Sequence, residues 1–222
     1  MPGLTRRRVL SGAGVVAGGL LLGGAGGLIA PRRGYAAVTP PRVYTRAEWS
    51  ARPPSSPVTV LNHAPDHIVV HHTASGNSVD YSWHQAARLS HWIQDLHMDE
   101  NGWIDSGQQL TISRGGYVME GRDQSLAAIN GGKLAYGSQT ANQNDHTIGI
   151  ENEGLYTSQD TTTALFNSLV QTCAWLCVTY KLDPHAAIVG HRDYVSTTVC
   201  PGDILYSRLP ELRNRVATAI GA

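Results

Sequence analysis

The stretch His67-Ile68-Val69-Val70-His71 decides the fold class, because its apolar, β-branched centre is typical of a buried strand. The chain turns polar just beyond it, so the strand carries His71 to an edge of a sheet. The segments Thr147-Ile148-Gly149-Ile150-Glu151 and Ala187-Ile188-Val189-Gly190 are similarly apolar. We therefore expect all three to be strands of one sheet.

Helical patterns lie between these strands. In residues 82–97, Leu89, Trp92, Ile93 and Leu96 recur at helical spacing, which predicts an amphipathic helix. Three further patterns complete the set: a hairpin over residues 109–120, a long apolar helical stripe over residues 165–177, and a closing helix over residues 205–219. Strands that alternate with helices and a hairpin predict an α/β fold, with a mixed central β-sheet flanked by helices.

The composition is that of an ordinary globular protein. The 222 residues are 41% hydrophobic and 15% charged, with 17 basic and 17 acidic side chains. A chain of this length fits one domain. A net charge of zero argues against a nucleic-acid partner, which would require a basic surface. No pattern indicates a coiled coil, so we expect a monomer.

The N-terminus resembles a twin-arginine export signal. Thr5-Arg6-Arg7-Arg8-Val9-Leu10 precedes a glycine-rich apolar run over residues 15–30, and the small residues Gly34 and Ala36 suit a cleavage site. We predict a signal peptide over residues 1–36 and a secreted or cell-wall associated domain over residues 37–222, with no stable membrane anchor after cleavage. The alternative is an uncleaved anchor, which the short, glycine-rich run disfavours.

Three residues could bind a metal ion. His71 and His191 each end a predicted strand, and Cys200 lies in the loop that follows His191. Two imidazoles and one thiolate suit Zn²⁺, and a catalytic zinc typically takes three protein ligands and leaves one position for water. The sequence contains 10 histidines, so spacing alone also allows a surface or hydrogen-bonding role for each.

Several motifs in the sequence resemble those of one protein family. Two of them contain the candidate ligands: Val69-Val70-His71-His72-Thr73-Ala74-Ser75, and Gly190-His191-Arg192-Asp193 followed by Cys200-Pro201-Gly202. Four others accompany them: Arg46-Ala47-Glu48-Trp49, Gly102-Trp103-Ile104-Asp105, Glu120-Gly121-Arg122 and Ile148-Gly149-Ile150. Together, in this order, they resemble type 2 N-acetylmuramoyl-L-alanine amidases, whose superfamily includes the peptidoglycan recognition proteins. The resemblance runs from about residue 46 to about residue 213.

The resemblance implies a peptidoglycan recognition protein-like amidase fold, with Zn²⁺ held by His71, His191 and Cys200. It also implies hydrolysis of the amide between N-acetylmuramic acid and L-alanine in peptidoglycan or muropeptides. Glu151 matches a branch of the family in which a Glu assists the zinc-bound water. Thr198 stands where relatives place a Lys or Thr that polarises the scissile carbonyl. Gly149, on the face of Glu151, is expected to leave space at the metal.

The sequence departs from the family pattern at three places, one of which is the loop before Cys200, which lacks the usual Pro and has an extra residue. Gln108 follows the Asp105-Ser106-Gly107 corner, where many catalytic members carry a Tyr, and Gly137-Ser138-Gln139 replaces the common Gly-Ala-His. The absence of a Tyr at Gln108 leaves a second hypothesis open, in which the protein binds peptidoglycan without hydrolysing it. A third hypothesis is a cysteine hydrolase with Cys200 as nucleophile and His191 as base.

Some residues have competing interpretations. Glu151 could form an ion pair with Arg122 or Arg192 instead of acting in catalysis. Glu153 is the competing carboxylate, because period two places it on the same strand face. Cys173 and Cys177 lie one helical turn apart, but both fall on the apolar stripe, so we expect them in the core.

Overall fold

The first predicted strand, β3 (His67–His72), lies inside a six-stranded sheet. The computed structural model describes residues 34–222, and the sheet is counted within that range. β3 pairs in parallel with β7 (Thr147–Asn152) on one side and with β8 (Ile188–Gly190) on the other. Side chains in the middle of these strands are almost entirely buried, which explains their continuous apolar sequence.

The other half of the sheet contains the predicted hairpin. β4 (Leu110–Ile112) runs parallel to β7 and antiparallel to β5 (Val118–Glu120). β1 (Val43–Tyr44) then adds to β5 in parallel at the edge. Parallel and antiparallel pairs occur together, so the predicted mixed sheet is confirmed.

A second, two-stranded sheet was not predicted. β2 (Val60–Leu61) pairs in an antiparallel direction with β6 (Leu134–Ala135), and helix α2 (Ser125–Asn130) precedes β6. Strands of two residues are too short to show alternation, so sequence periodicity could not identify them.

Helices cover both faces of the main sheet. α1 (Trp83–Asp95) begins at Ser82, whose side chain caps it, and α3 (Thr163–Tyr180) begins at Thr162 in the same way. A π-helical turn (Leu96–Glu100) continues α1. In β5, Val118 packs in the cluster that contains α3, whereas Met119 packs with α1. Successive strand residues point to opposite faces, so α1 and α3 lie on opposite sides of the sheet.

The predicted core cysteines are buried, as expected. Cys173 and Cys177 are both inaccessible to solvent in α3, and burial raises the pKa of Cys177 to about 12. Both thiols pack in the main hydrophobic cluster, together with Leu169 and Leu176. They therefore contribute to the core, away from the candidate metal ligands.

The predicted closing helix is wrong as a single element. After the short helix α4 (Pro184–Ala187), the chain forms α5 (Asp203–Ser207) and then α6 (Leu209–Ile220). Pro210 lies in the first turn of α6. Because proline has no N–H to donate to the preceding turn, it favours a helix start and interrupts a continuous helix.

The predicted export signal lies almost wholly outside the described residues. At their beginning, the Tyr35 hydroxyl donates to the Leu182 carbonyl at 2.9 Å, and the Ala36 amide donates to the Ile220 carbonyl at 2.8 Å. Cleavage after Ala36 would remove both of these contacts, and it stays a prediction. From residue 34 onward, no helix has the length and hydrophobicity needed to cross a bilayer.

Candidate active site

The strand register brings His71 and Glu151 side by side. His71 of β3 pairs with Glu151 of β7, at the carboxyl ends of both strands. Their neighbours Val70 and Ile150 point into the core cluster that contains α3. Because strand residues alternate between faces, His71 and Glu151 project from the opposite face of the sheet.

His191 and Cys200 reach the same place from the end of β8. His191 begins a short 3-10 turn (His191–Asp193) directly after the strand, and its ring centroid lies 4.6 Å from that of His71. The Cys200 Sγ lies 3.6 Å from the His71 Nδ1. One donor atom from each of the three residues lies within 4.8 Å of the others. This spacing suits a shared metal ion.

Side chains of the His-Arg-Asp motif fix the loop that carries Cys200. The Arg192 guanidinium donates to the carbonyls of Cys200 and Val199 and pairs with Asp203 at 2.7 Å. The Asp193 carboxylate accepts from the Gly190 amide and from the Tyr206 hydroxyl. The loop is therefore held at both ends near His191.

The three candidate ligands occupy environments that disfavour charge in the absence of a metal. Burial, reinforced by nearby His191, lowers the pKa of His71 to about 3. Burial also lowers the pKa of His191. Burial and the Glu151 carboxyl raise the pKa of Cys200, although the His72 amide donates to its Sγ at 3.4 Å. Neutral imidazoles are ready to coordinate, whereas the thiol must lose a proton.

Glu151 lies in the same cavity, and one of its carboxyl oxygens has no hydrogen-bond partner among the described residues. Although the residue keeps some solvent exposure, its Oε2 atom is shielded and, among the described residues, accepts no hydrogen bond. Burial raises the pKa of Glu151 to about 8. Across residues 34–222 it pairs with neither Arg122 nor Arg192, so the ion-pair interpretation receives no support. An unpartnered carboxylate among these donors is suited to accept a proton.

Glu153 lies in a different environment. Its carboxylate accepts from the Gln85 side chain at 2.7 Å and from the Arg114 amide at 2.6 Å. Both oxygens are thus occupied by structural donors, and Glu153 does not line the cavity. Of the two competing carboxylates, the structure brings only Glu151 to the histidines.

A cavity of about 320 Å³ joins these residues to Thr198, whose role the family resemblance implied, and to residues that the sequence did not assign. Thr198 lines it, and its Oγ1 accepts from the Cys200 amide at 3.2 Å. His97 and Trp103 line it as well, with ring centroids 4.6 Å apart. The Gly107 amide donates to the His97 Nδ1 at 3.0 Å, which places the ring hydrogen on Nε2. Only the position of His97 at the end of a helix beside a family motif could have indicated it.

A family model described as N-acetylmuramoyl-L-alanine amidase matches residues 61–203, a span that includes His71, Glu151, His191 and Cys200. The chain belongs to the N-acetylmuramoyl-L-alanine amidase family. This match covers most of the described chain, and it agrees with the mixed sheet and with the position of the cavity.

Several relatives of this amidase-family chain come from animals. A human N-acetylmuramoyl-L-alanine amidase is 29% identical over 170 residues, covering 76% of this chain but only 28% of the relative. Peptidoglycan-recognition protein SC2 of Drosophila melanogaster is 29% identical, covering 75% of this chain and 84% of the relative. A mutant of Drosophila PGRP-LB, solved in complex with tracheal cytotoxin, superposes with a TM-score of 0.65 at 25% identity, covering 76% and 92% of the two chains.

Three of the family motifs build one buried network, and of their residues only Trp103 also lines the cavity. Its centre is Asp105, which is fully buried and pairs with Arg46 at 3.1 Å. The Asp123 amide donates to the Asp105 Oδ2 at 2.7 Å, and Gln94 donates to the Oδ1 at 2.8 Å. Arg122 donates to the Ser106 carbonyl at 2.9 Å. In this amidase-family fold, the network fixes the corner from which Gln108 enters the cavity.

The structure shows which groups surround Gln108 and Gly149. Gln108 is 1% exposed and donates to the Thr111 hydroxyl, whereas its Oε1 has no partner within the described range. The expectation that Gly149 leaves space at the metal is wrong. A Cβ at Gly149 would lie 2.6 Å from the Cγ of Gln139, so the space is taken by that glutamine.

Proposed function

We propose that the protein is a zinc-dependent amidase that hydrolyses the bond between N-acetylmuramic acid and L-alanine. One observation carries the proposal. The donor atoms of His71, His191 and Cys200 converge within 4.8 Å, and the unpartnered Oε2 of Glu151 lies in the same cavity. Family membership supports the amide as the bond that is cut.

The donor set fits Zn²⁺. Two imidazoles and one thiolate are common zinc ligands, and three protein ligands leave one position open. Zinc in such a site acts as a Lewis acid on a carbonyl oxygen and lowers the pKa of water. His71, His191 and Cys200 would hold it, and the Arg192 contacts would keep the Cys200 loop in place.

Glu151 is the proposed proton carrier. In the zinc-free site its pKa of about 8 keeps it mainly protonated at neutral pH, and a nearby cation favours its ionised form. The carboxylate accepts a proton from the attacking water as oxygen bonds to the lactyl carbonyl carbon. When the carbon–nitrogen bond breaks, Glu151 returns that proton to the L-alanine nitrogen.

Thr198 is the proposed donor to the substrate carbonyl. Its oxygen already accepts the Cys200 amide, so its hydroxyl hydrogen remains available to a group inside the cavity. A neutral hydroxyl stabilises developing negative charge less than a lysine would. We therefore assign Thr198 a smaller contribution than Glu151.

The comparisons support a peptidoglycan fragment as the substrate. The similar Drosophila PGRP-LB structure holds tracheal cytotoxin, and the similar SC2 protein is named for peptidoglycan recognition. The chain spans only 28% of the human amidase, so that protein's full activity is not transferred. Export by the predicted signal of residues 1–36 would bring the domain to the cell wall, and we propose that it acts there as a monomer.

Binding without turnover is the second candidate, and Gln108 is the observation that favours it. Gln108 lines the cavity in place of the tyrosine that many catalytic relatives carry. A carboxamide cannot supply a phenol hydroxyl. Retention of all three candidate ligands and of Glu151 favours the enzyme.

The cysteine hydrolase is the least supported hypothesis. A nucleophilic cysteine needs a thiolate, but burial raises the pKa of Cys200. The imidazole nitrogen hydrogen-bonded to the Cys200 Sγ belongs to His71, and not to His191 as that hypothesis requires. A metal ion would stabilise the thiolate that this environment otherwise disfavours.

The decisive experiment measures the L-alanine amino termini that amide hydrolysis produces. Purified protein is incubated with peptidoglycan after chelation and again after zinc restoration, and released L-alanine amino termini are counted by mass spectrometry. We expect release only with zinc, and about 10²- to 10⁴-fold less from Glu151→Gln. Glu153→Gln is the matched control on the same strand and should keep turnover if it folds. Zinc-loaded protein that binds peptidoglycan without release would favour the recognition function.

A further inference from the structure

Gln139 contacts a candidate zinc ligand directly. It lies in the loop before β7, is 8% exposed, and its Oε1 lies 2.6 Å from the Nε2 of His71. Of the hydrogen bonds made by His71, this one fixes the ring edge that faces away from Cys200. Gln139 therefore lies beside His71, at the ring nitrogen that does not face Cys200.

The orientation of the Gln139 amide is fixed by its other neighbours. Its Nε2 donates to the Thr147 Oγ1 at 2.7 Å. The Thr147 hydroxyl hydrogen is already donated to the Gln143 carbonyl at 2.7 Å, so the Thr147 oxygen must act as an acceptor. The Thr140 hydroxyl donates to the Gln139 Oε1. These contacts require the amide oxygen to face His71.

The tautomer of His71 follows from that orientation. A carboxamide oxygen only accepts hydrogen bonds, so the His71 Nε2 carries the hydrogen and Nδ1 carries the lone pair. The Nδ1 is the atom that lies 3.6 Å from the Cys200 Sγ. A histidine coordinates a metal through its unprotonated nitrogen, and the hydrogen bond of the other nitrogen sets the ring orientation.

The strand sequence makes room for this glutamine. A side chain at position 149 would have its Cβ within 2.6 Å of the Gln139 Cγ, so only glycine allows the contact. The Gly149 amide in turn donates to the Gln109 Oε1 at 2.7 Å. Gly149 and Gln139 thus form a complementary pair beneath His71.

We propose that Gln139 is a positioning residue that holds His71 in its Nε2–H tautomer with Nδ1 directed toward the metal. The proposal rests on the zinc site proposed above. It gives a role to the position at which the family's common histidine is replaced by Gln139. A neutral amide orients the ring without adding charge to the site.

The test is zinc affinity, measured by competition with a chromophoric chelator. We expect Gln139→Leu to bind zinc about 10- to 100-fold more weakly than the original protein, as is typical when a hydrogen bond to a ligand is lost. Gln139→Glu keeps an acceptor for His71 but loses the donor to the Thr147 oxygen, so it should bind zinc more tightly than Gln139→Leu. Because exposed Asp66 and the half-buried His67 and His146 form a second group that could hold a metal, each titration is repeated with His146→Asn.

Gln109→Leu is the structural control. Gln109 is also fully buried and bridges β7 to the Ala135 carbonyl, but it contacts none of the three candidate ligands. Its loss should leave zinc affinity unchanged in protein that folds. Nitrogen-15 spectra of the zinc-free imidazoles provide a second readout, with one Nε2–H tautomer expected for His71 and mixed tautomers in Gln139→Leu.

Two results separate the possible failures. If Gln139→Leu binds zinc as tightly as the original protein, or Gln109→Leu weakens binding equally, the positioning role of Gln139 is overturned. If the His146→Asn protein, which lacks the second group, binds no zinc, the proposed zinc amidase itself is overturned.

Discussion

The Sγ of Cys200 lies 3.6 Å from the Nδ1 of His71, although the two residues are 129 positions apart in the chain. β3 carries His71 to the edge of the sheet, and the loop after β8 returns Cys200 to the same edge. Their meeting depends on the fold as a whole, and it makes the thiol a direct probe of the proposed metal site.

We predict that Cys200→Ser separates binding from turnover. Loss of the thiolate should remove most of the bound zinc and lower amide hydrolysis on the order of 10³-fold, because both Lewis acid and activated water are lost. Sedimentation with insoluble peptidoglycan should still occur, since the cavity remains. Cys177→Ala, which removes a buried thiol in α3, is the control and should keep its zinc. A Cys200→Ser protein with normal zinc content would contradict the ligand assignment.

We predict that zinc uptake releases protons from two groups. At pH 7 the zinc-free protein carries a neutral His71 (pKa about 3), a protonated Glu151 (pKa about 8) and a Cys200 thiol whose pKa is raised. Binding zinc requires the thiolate and favours the ionised carboxylate, so about two protons should leave. Titration calorimetry in buffers of different ionisation enthalpy measures this number.

The Glu151→Gln variant should release about one proton fewer at pH 7. The difference should vanish well above the Glu151 pKa of about 8, where that carboxyl has already ionised in the zinc-free protein. Equal release by the original protein and the variant at pH 7 would show that Glu151 does not respond to the metal.

We predict that Gln108→Tyr raises turnover. Gln108 is almost fully buried at the cavity wall and its Oε1 is unpartnered among residues 34–222, so a phenol hydroxyl introduced there should contribute a donor that the present side chain lacks. We expect kcat to rise about tenfold, less than the roughly 10²- to 10³-fold typical of a preorganised donor to developing charge. Gln108→Phe supplies the ring without the hydroxyl. Equal rates from the two variants would show that any change in kcat comes from the shape of the ring and not from the hydroxyl.

The sequence alone was sufficient for the strands that contain His71 and Glu151 and for the strand that ends just before His191, because buried β-branched runs are local signals. The meeting of Cys200 with His71 came from family resemblance and not from spacing. Gln139 and His97 had no comparable signal, since each reaches the cavity through tertiary packing. Gly149 did indicate a close neighbour, but sequence could not distinguish a metal from a glutamine.

The sequence also could not show what the accompanying motifs do in the fold. The residues of Arg46-Ala47-Glu48-Trp49 suggested a family, yet their purpose appears only in contacts with distant segments. The Trp49 indole donates to the Glu120 carbonyl at 2.9 Å, and Arg46 pairs with Asp105. Such long-range polar pairing has no periodicity in the chain, so pattern analysis cannot predict it.

We predict that Asp105→Asn destabilises the fold by about 3 kcal/mol, measured by urea denaturation, because it leaves the Arg46 guanidinium without its buried counter-ion. The Asp105 side chain is 0% exposed and that of Arg46 is 11% exposed. The amide that replaces one carboxylate oxygen would also face a donor, either the Asp123 amide or the Gln94 and Arg46 side chains.

The exposed pair of Arg42 and Glu48 is the control for this prediction. Its side chains are 69% and 38% exposed, so solvent screens the pair and Glu48→Gln should cost far less than Asp105→Asn. Zinc affinity should change little in folded Asp105→Asn, since Asp105 contacts none of the candidate ligands in the described chain. A stability loss no larger than that of Glu48→Gln would mean that water or Asp123, 3.7 Å from Arg46, compensates the buried charge.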